Sequence, residues 1–487
     1  MGIVLKESYK NILTLSLAIL VGAINTLFLY VYFLDAQYYG LVTFLLSTAF
    51  ILKPLIALGV NYSIVKFFSV YTDKINKDQF LSVMLWLPLL TIVPLGILGF
   101  VFYEKIAISL FSKNIQFKHY TYLIFIVAIT YAYFEIFYAW ARVHLKSVFG
   151  NILKELFVRV IVSLLLIAVY FKMINSHQFI LCLVGAYFLQ TIIMMVFSLQ
   201  LYKPKFSLGL PNNFKEIVQY SFYIILAGSA ATILLDIDKF MIPQKEVIEQ
   251  AAFYAVAVYI GSVIEIPGRA MSQITQPLTA KALNNNNDDE VLSLYKKTSI
   301  NLIVASGFIF VLVNANISSL YQLLPSKYIG GVWVVFMISV AKLYHMFLGN
   351  NGAIISNSKY YKVLLPYGIA MALSVICLNN WLIDVIGING AALATLIVIL
   401  VFNTIKLFYV KAKFNILPTT SKTWITLFLI AVLTGMGVCL QFNFHPLINI
   451  LLETILLSSI YLLAVIKLNL STDITVLYQQ LILKFKK

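Results

Sequence analysis

Apolar runs of about 20 residues, the length that crosses a bilayer, recur from one end of the chain to the other. They predict fourteen helices, near 11–33, 40–66, 80–103, 120–144, 150–171, 178–201, 216–236, 250–281, 298–314, 332–356, 360–378, 386–410, 423–440 and 446–466. Each run is apolar throughout, whereas a membrane β-barrel would show segments of about ten residues with alternating polarity. The expected fold is therefore all-α and polytopic. The longest breaks, Tyr202–Lys215, Ile237–Glu249, Leu283–Lys297 and Ala315–Gly331, are too short to fold as separate domains.

One run departs from the pattern. Ala251–Leu283, AAFYAVAVYIGSVIEIPGRAMSQITQPLTAKAL, is long enough to span, yet Ser262, Glu265, Arg269, Ser272 and Gln276 follow at steps of three and four. A 3.6-residue period puts all five on one face. Charged groups at the bilayer centre are costly, so such a face turns to a bundle interior or a wet cavity. Pro267 and Gly268 lie mid-run, where a helix can kink. The expectation is the wall of a polar pathway.

Composition agrees with a membrane protein: 61% of residues are apolar and 11% charged. The net charge of +16 sits mostly in short loops between apolar runs, which argues against nucleic acid as a partner and for the lipid bilayer. Of the 35 basic residues, 24 fall on one set of alternate segments, seven on the other and four within spans. The positive-inside bias then puts both termini in the cytoplasm, with an even number of spans. The basic end LILKFKK is expected to lie along the anionic inner leaflet. The first run is of full spanning length, and no cleavable signal is expected. Cys182, Cys377 and Cys439 lie in separate apolar runs and read as inert thiols. The five histidines are scattered without metal-ligand spacing, so neither a metal nor a cofactor is expected.

Spans 1–6 and 7–12 look like a repeat. In YYGLVTFLLSTAFILKPLIALG and FYAVAVYIGSVIEIPGRAMSQ, a cation, Lys53 or Arg269, lies beside or near a proline, Pro54 or Pro267. Corresponding broken helices in two halves point to a transport site. The basic linker KPKFSLGLPNNFK would join the halves.

The stretches YYGLVTFLLSTAFILKPLIALGVNYSIVKFFS, LLDIDKFMI, PGRAMSQITQPLTAKALNNNNDDEVLSLYKKTS and IGINGAALATLIVILVFNTIKLFYVKAKF resemble the Wzx-type O-antigen and polysaccharide repeat-unit flippases of the multidrug/oligosaccharidyl-lipid/polysaccharide exporter superfamily. The resemblance touches both halves; the order and spacing of the motifs carry it more than any single one. It implies two six-helix lobes, 1–201 and 216–414, joined by a cytoplasmic linker at 202–215, with spans 13–14 and a basic tail at 415–487. It implies alternating access and export of an undecaprenyl-diphosphate-linked oligosaccharide from the inner to the outer leaflet of a bacterial inner membrane. A polysaccharide polymerase and chain-length machinery are further partners it would admit.

Several side chains are candidates for the cavity of such a protein. Glu265 and Arg269 form an i,i+4 pair, which either binds substrate or only holds the helix in its bundle. Lys53 has no acid in its own span and suits a diphosphate, unless it snorkels. Tyr131, Glu135, Tyr138 and Arg142 stripe span 4, for sugar rings or for packing. Glu155 and Arg159 repeat the i,i+4 spacing on span 5, and Lys342 and His345 share a face of span 10. Ser262 and Gln276 complete the candidate cavity set. Asp236, on a face with Ser229 and Thr232, and His345 are coupling candidates. The rival functions are a multidrug exporter, which would want acidic cavity residues, and a membrane polymerase or ligase, which would want a large catalytic loop. The DID at Asp236–Asp238 imitates a glycosyltransferase acidic pair but ends a membrane helix, so no enzyme is expected.

Overall fold

In hydrocarbon there is no water to bond an exposed peptide group, so apolar runs of this length close their hydrogen bonds internally, as helices. The computed structural model describes residues 2–207, 209–440, 442 and 444–476. The stretch LILKFKK lies outside the described residues. Among those described there is no β-strand. Twelve helical stretches are long and apolar enough to cross a membrane: α1 Leu13–Phe33, α2 Ala36–Ala57, α3 Lys74–Val101, α4 Ile115–Val143, α6 Ser176–Leu201, α8 Glu249–Asn284, α9 Asp288–Gln322, α10 Ser326–Phe347, α11 Tyr361–Ile386, α12 Ile388–Phe414, α13 Ser421–Cys439 and α14 Pro446–Lys467. The other two predicted spans are helical too: α5 runs through Ser147–Asn151, Ile152–Phe157 and Val158–Tyr170, and α7 is Phe214–Lys245.

Two compact units divide the chain, Met1–Ala255 and Val256–Lys487. In the first, α4 packs between α2 and α6, and α7 lies along α2. In the second, α13 and α14 both pack on α9, while α12 packs on α10 and α11.

Polar side chains fix where several helices begin. Asp73 accepts the Asn76 N–H at 3.0 Å to cap α3, and Asn175 forms a reciprocal capping box with Gln178 at the start of α6. The four-asparagine run has a structural use: Asn286 takes a positive φ of 50° and Asn287 caps α9, whose first turn is acidic.

The predicted second span, 40–66, is not one helix. It stops at Ala57, turns through Leu58 and Gly59, both left-handed, and restarts as Val60–Phe67. Pro54 has no N–H to offer the turn behind it, yet the helix survives one further turn before it breaks. At Gly59, φ is +66°, and a Cβ would stand 2.8 Å from the Ser221 carbonyl oxygen and 2.7 Å from Ile224. The left-handed conformation alone costs a non-glycine residue ~1–2 kcal/mol, and the contact with α7 adds to it. Gly59→Ala should therefore lower the thermal stability of the purified chain, read by heating in detergent followed by size exclusion; an unchanged melting temperature would mean that the break relaxes freely.

Candidate functional site

The break after Pro54 leaves Lys53 near the end of α2, beside a cavity of about 230 Å³. Lys53, Glu135, Tyr138, Arg142 and Lys154 line it, with Asn61 and Thr232. Hydrogen bonds between helices hold the walls. Gln190 of α6 donates to the Leu153 carbonyl (2.7 Å), Ser198 to the Phe137 carbonyl (2.7 Å) and Thr191 to the Thr130 carbonyl (2.8 Å). Such bonds in a membrane interior are worth ~0.6 kcal/mol each on average. Ser63, just past the break, shares a 2.7 Å hydrogen bond with Ser221 of α7.

Residues Ile152–Phe157 of α5 form a π-helical turn. Its widened register sends two consecutive residues to different partners. Lys154 reaches Glu135 at 2.8 Å, whereas Glu155 pairs with Arg159 at 3.6 Å. Lys53 approaches the same Glu135 oxygen at 3.8 Å, and its ammonium lies 4.9 Å from the Tyr131 ring centroid. Tyr138 sits between two cations, with Arg142 at 5.7 Å and Lys154 at 5.9 Å from its ring, and donates to Asn151. Its ring fits there because residue 150 is glycine; a Cβ would overlap it. The cavity thus gathers three cations around one carboxylate.

Lys53, Glu135 and Arg142 are therefore brought together, and the stripe on α4 forms a wall of the site. Lys53, which has no acid in its own span, meets Glu135 from another helix and is therefore not an unpaired cation. Lys154 is not among the residues that the sequence singles out, because a lysine at the edge of an apolar run is indistinguishable from a loop charge. Arg159 does not line this cavity. It donates to the Ala18 carbonyl, its own carbonyl accepts from Asn25 at 2.8 Å, and Ser163 donates to Asn25 at 2.6 Å. These bonds join α5 to α1, at Ala18 and at Asn25, the first residue of the π-helical stretch Asn25–Leu29.

A second polar cluster lies in the other unit. Lys342 donates to Glu265 at 2.6 Å, and His345, one turn along α10, is 3.4 Å from Asn403. Glu265 thus pairs with Lys342 and not with Arg269, as the i,i+4 spacing led one to expect. Val263–Glu265 is a 3-10 turn, which breaks the 3.6-residue register. Its cause is Pro267: with no N–H there, the Val263 carbonyl accepts from Ile266 instead. Ser262 turns back to the Tyr259 carbonyl at 2.9 Å and leaves the predicted stripe, while Arg269, Ser272 and Gln276 are exposed. Asp236 pairs with Lys239 at 3.1 Å.

Glu135→Ala would leave Lys53, Lys154 and Arg142 without their counter-charge. Breaking a buried pair from one side costs ~3–5 kcal/mol, and partial exposure of the lysines reduces this. Glu135→Ala should lower the melting temperature, and Lys154→Met added to it should restore part of the loss. Equal melting of Glu135→Ala and wild type would show that the carboxylate does not hold the cluster together.

Comparison with known proteins gives the setting of this geometry. The sequence model of a family described as polysaccharide biosynthesis protein matches residues 8–268. Among curated protein sequences, none matches significantly. Three solved structures share the fold at low identity. The lipid II flippase MurJ in an inward-closed conformation superposes with a TM-score of 0.69 at 16% identity, over 94% of this chain and 98% of that one. An inward-facing multidrug resistance transporter of the MATE family, in the MOP superfamily, gives 0.61 at 12% identity over 82% and 94%. A MOP-superfamily transporter from Pyrococcus furiosus, described as having a binding pocket of reversed polarity, gives 0.52 at 14% identity over 84% and 96%.

Proposed function

Because the chain belongs to the polysaccharide biosynthesis protein family and has the fold of MOP-superfamily transporters, we propose that it is a flippase for a polyprenyl-diphosphate-linked oligosaccharide. The observation that carries this reading is the charge of the cavity on α2, α4 and α5: Lys53, Lys154 and Arg142 face a single carboxylate. An excess of positive charge in a partly desolvated site selects an anion. Lysine supplies a compact charge with three donors, and arginine a planar fork that grips phosphate oxygens in pairs. The volume adds a limit. Sites for drug-sized ligands hold about 300–1,000 Å³, so a cavity of about 230 Å³ takes a diphosphate and leaves the sugars outside it.

The same charge disfavours the cationic substrates of a multidrug exporter. Transport without catalysis is the reading the family supports. On the distribution of basic residues we place both termini on the cytoplasmic side of a bacterial inner membrane. Movement from the inner to the outer leaflet would then follow alternating access, with the polyprenyl tail in lipid. Arg269 on α8, exposed and near the proline-induced turn, offers a second anion contact.

Complementation of a strain lacking its repeat-unit flippase tests this, with protein abundance measured in parallel. Lys53→Met should lower surface polysaccharide by about tenfold or more, the worth of one charge-assisted bond, and Lys53→Arg should retain most of it. Arg269→Ala should fall further than Arg269→Lys, and Glu265→Gln should do less harm than Arg269→Ala. Full export by Lys53→Met at normal abundance would remove the basis for the proposal.

A further inference from the structure

A different cavity, of about 590 Å³, lies in the second unit. It opens where α9 and α13 end and α10 and α14 begin, lined by Asn314, Ser318, Trp333, Phe336, Thr434 and Glu453 among others. Its character is opposite to that of the site above. None of its described lining residues is Lys, Arg or His, and its one ionisable group is Glu453.

Glu453 is 3% exposed, and its Oε2 has no hydrogen-bond partner among the described residues. Thr434, 8% exposed on the facing helix, likewise leaves its hydroxyl unpaired. The neighbouring amides do not serve these atoms: Asn449 bonds the backbone of Phe442 and Phe444, and Asn314 donates to the Phe310 carbonyl. A buried carboxylate oxygen without a partner is costly, and the great majority of buried polar groups are paired. Two orphaned oxygens on residues that line one cavity call for a donor, which a ligand in that cavity can bring. Glu453 lies about 10 Å from the first residue of α14 at 1.5 Å per residue, within reach of a group entering from that end. Of the cavity's lining residues, Trp333 and Phe336 are 66% and 40% exposed. Aromatic faces beside a carboxylate attract an organic cation and cover an apolar body.

We propose that this cavity binds an ammonium group carried on an apolar body, with Glu453 as its counter-charge and Thr434 as a second acceptor. The chemistry fits two sources, the headgroup of an aminophospholipid from the surrounding bilayer or a free lipophilic amine. It stands apart from the flippase reading, since an anionic diphosphate would meet only Glu453 here.

Native mass spectrometry of the full-length purified chain tests the proposal. Phosphatidylethanolamine is compared with phosphatidylglycerol of the same acyl chains, and dodecylamine with dodecanol. Retention of phosphatidylethanolamine over phosphatidylglycerol by about tenfold is expected for one charge-assisted bond. The preference should vanish in Glu453→Gln, which keeps the shape, and weaken in Thr434→Val, with melting temperature as the control for folding. A preference for dodecylamine alone would support the site and assign it to soluble amines. If wild type discriminates in neither pair, a comparison that needs no variant, the proposal is overturned; so it is if Glu453→Gln keeps the wild-type preference.

Discussion

Glu135 stands between two lysines, with an arginine two turns further along its own helix, and one carboxylate cannot neutralise three cations. That surplus charge governs the first unit. Burying it without compensation would cost several kcal/mol per ion, so the surrounding helices must supply a wet, polar space. They do so by breaking their own regularity. The α2 break at Leu58–Gly59 opens the cavity floor, and the π-helical turn of α5 sends Lys154 inward. Gln190 then satisfies the Leu153 carbonyl inside that turn.

The second unit follows the same logic with different parts. Irregular backbone at membrane depth is tolerated only where protein or a water-filled space covers it. Here the 3-10 turn ahead of Pro267 carries Glu265 to Lys342 and leaves Arg269 exposed. A proline midway along a spanning helix thus decides which of two cations the carboxylate neutralises.

The helices were legible in the sequence because a spanning run needs about 20 apolar residues, and no other local signal competes with that length. All fourteen predicted runs are helical. The breaks were legible only to within a turn: Pro54 announced one that falls at Leu58, and Pro267 one that falls at Val263–Glu265. Side-chain partners were less so. Lys53 seemed unpaired because Glu135 is distant in sequence, and pairing across helices leaves no local trace. Lys154 stands so near the start of its run that sequence alone does not separate it from the loop charges, since run boundaries blur by several residues. The stripe from Ser262 to Gln276 assumed an unbroken 3.6-residue period, and one 3-10 turn was enough to split it. Glu453 is the one carboxylate of its run, but the small polar residues around it, Asn449, Thr454, Ser458 and Ser459, form no stripe that points to a partner, and Thr434 is one of several threonines of α13.

If surplus positive charge around Glu135 recognises the diphosphate of a lipid-linked sugar, transport depends on that diphosphate. Reconstitution in proteoliposomes tests it most directly. A fluorescent oligosaccharide on a polyprenyl diphosphate is compared with the same sugar on a neutral polyprenyl ether, and a membrane-impermeant quencher reports the leaflet. Wild type should move the diphosphate carrier at least about tenfold faster than the neutral one, as expected when a charged contact is lost, and Lys53→Met should erase most of that difference. Equal rates for the two carriers in wild type would contradict the account.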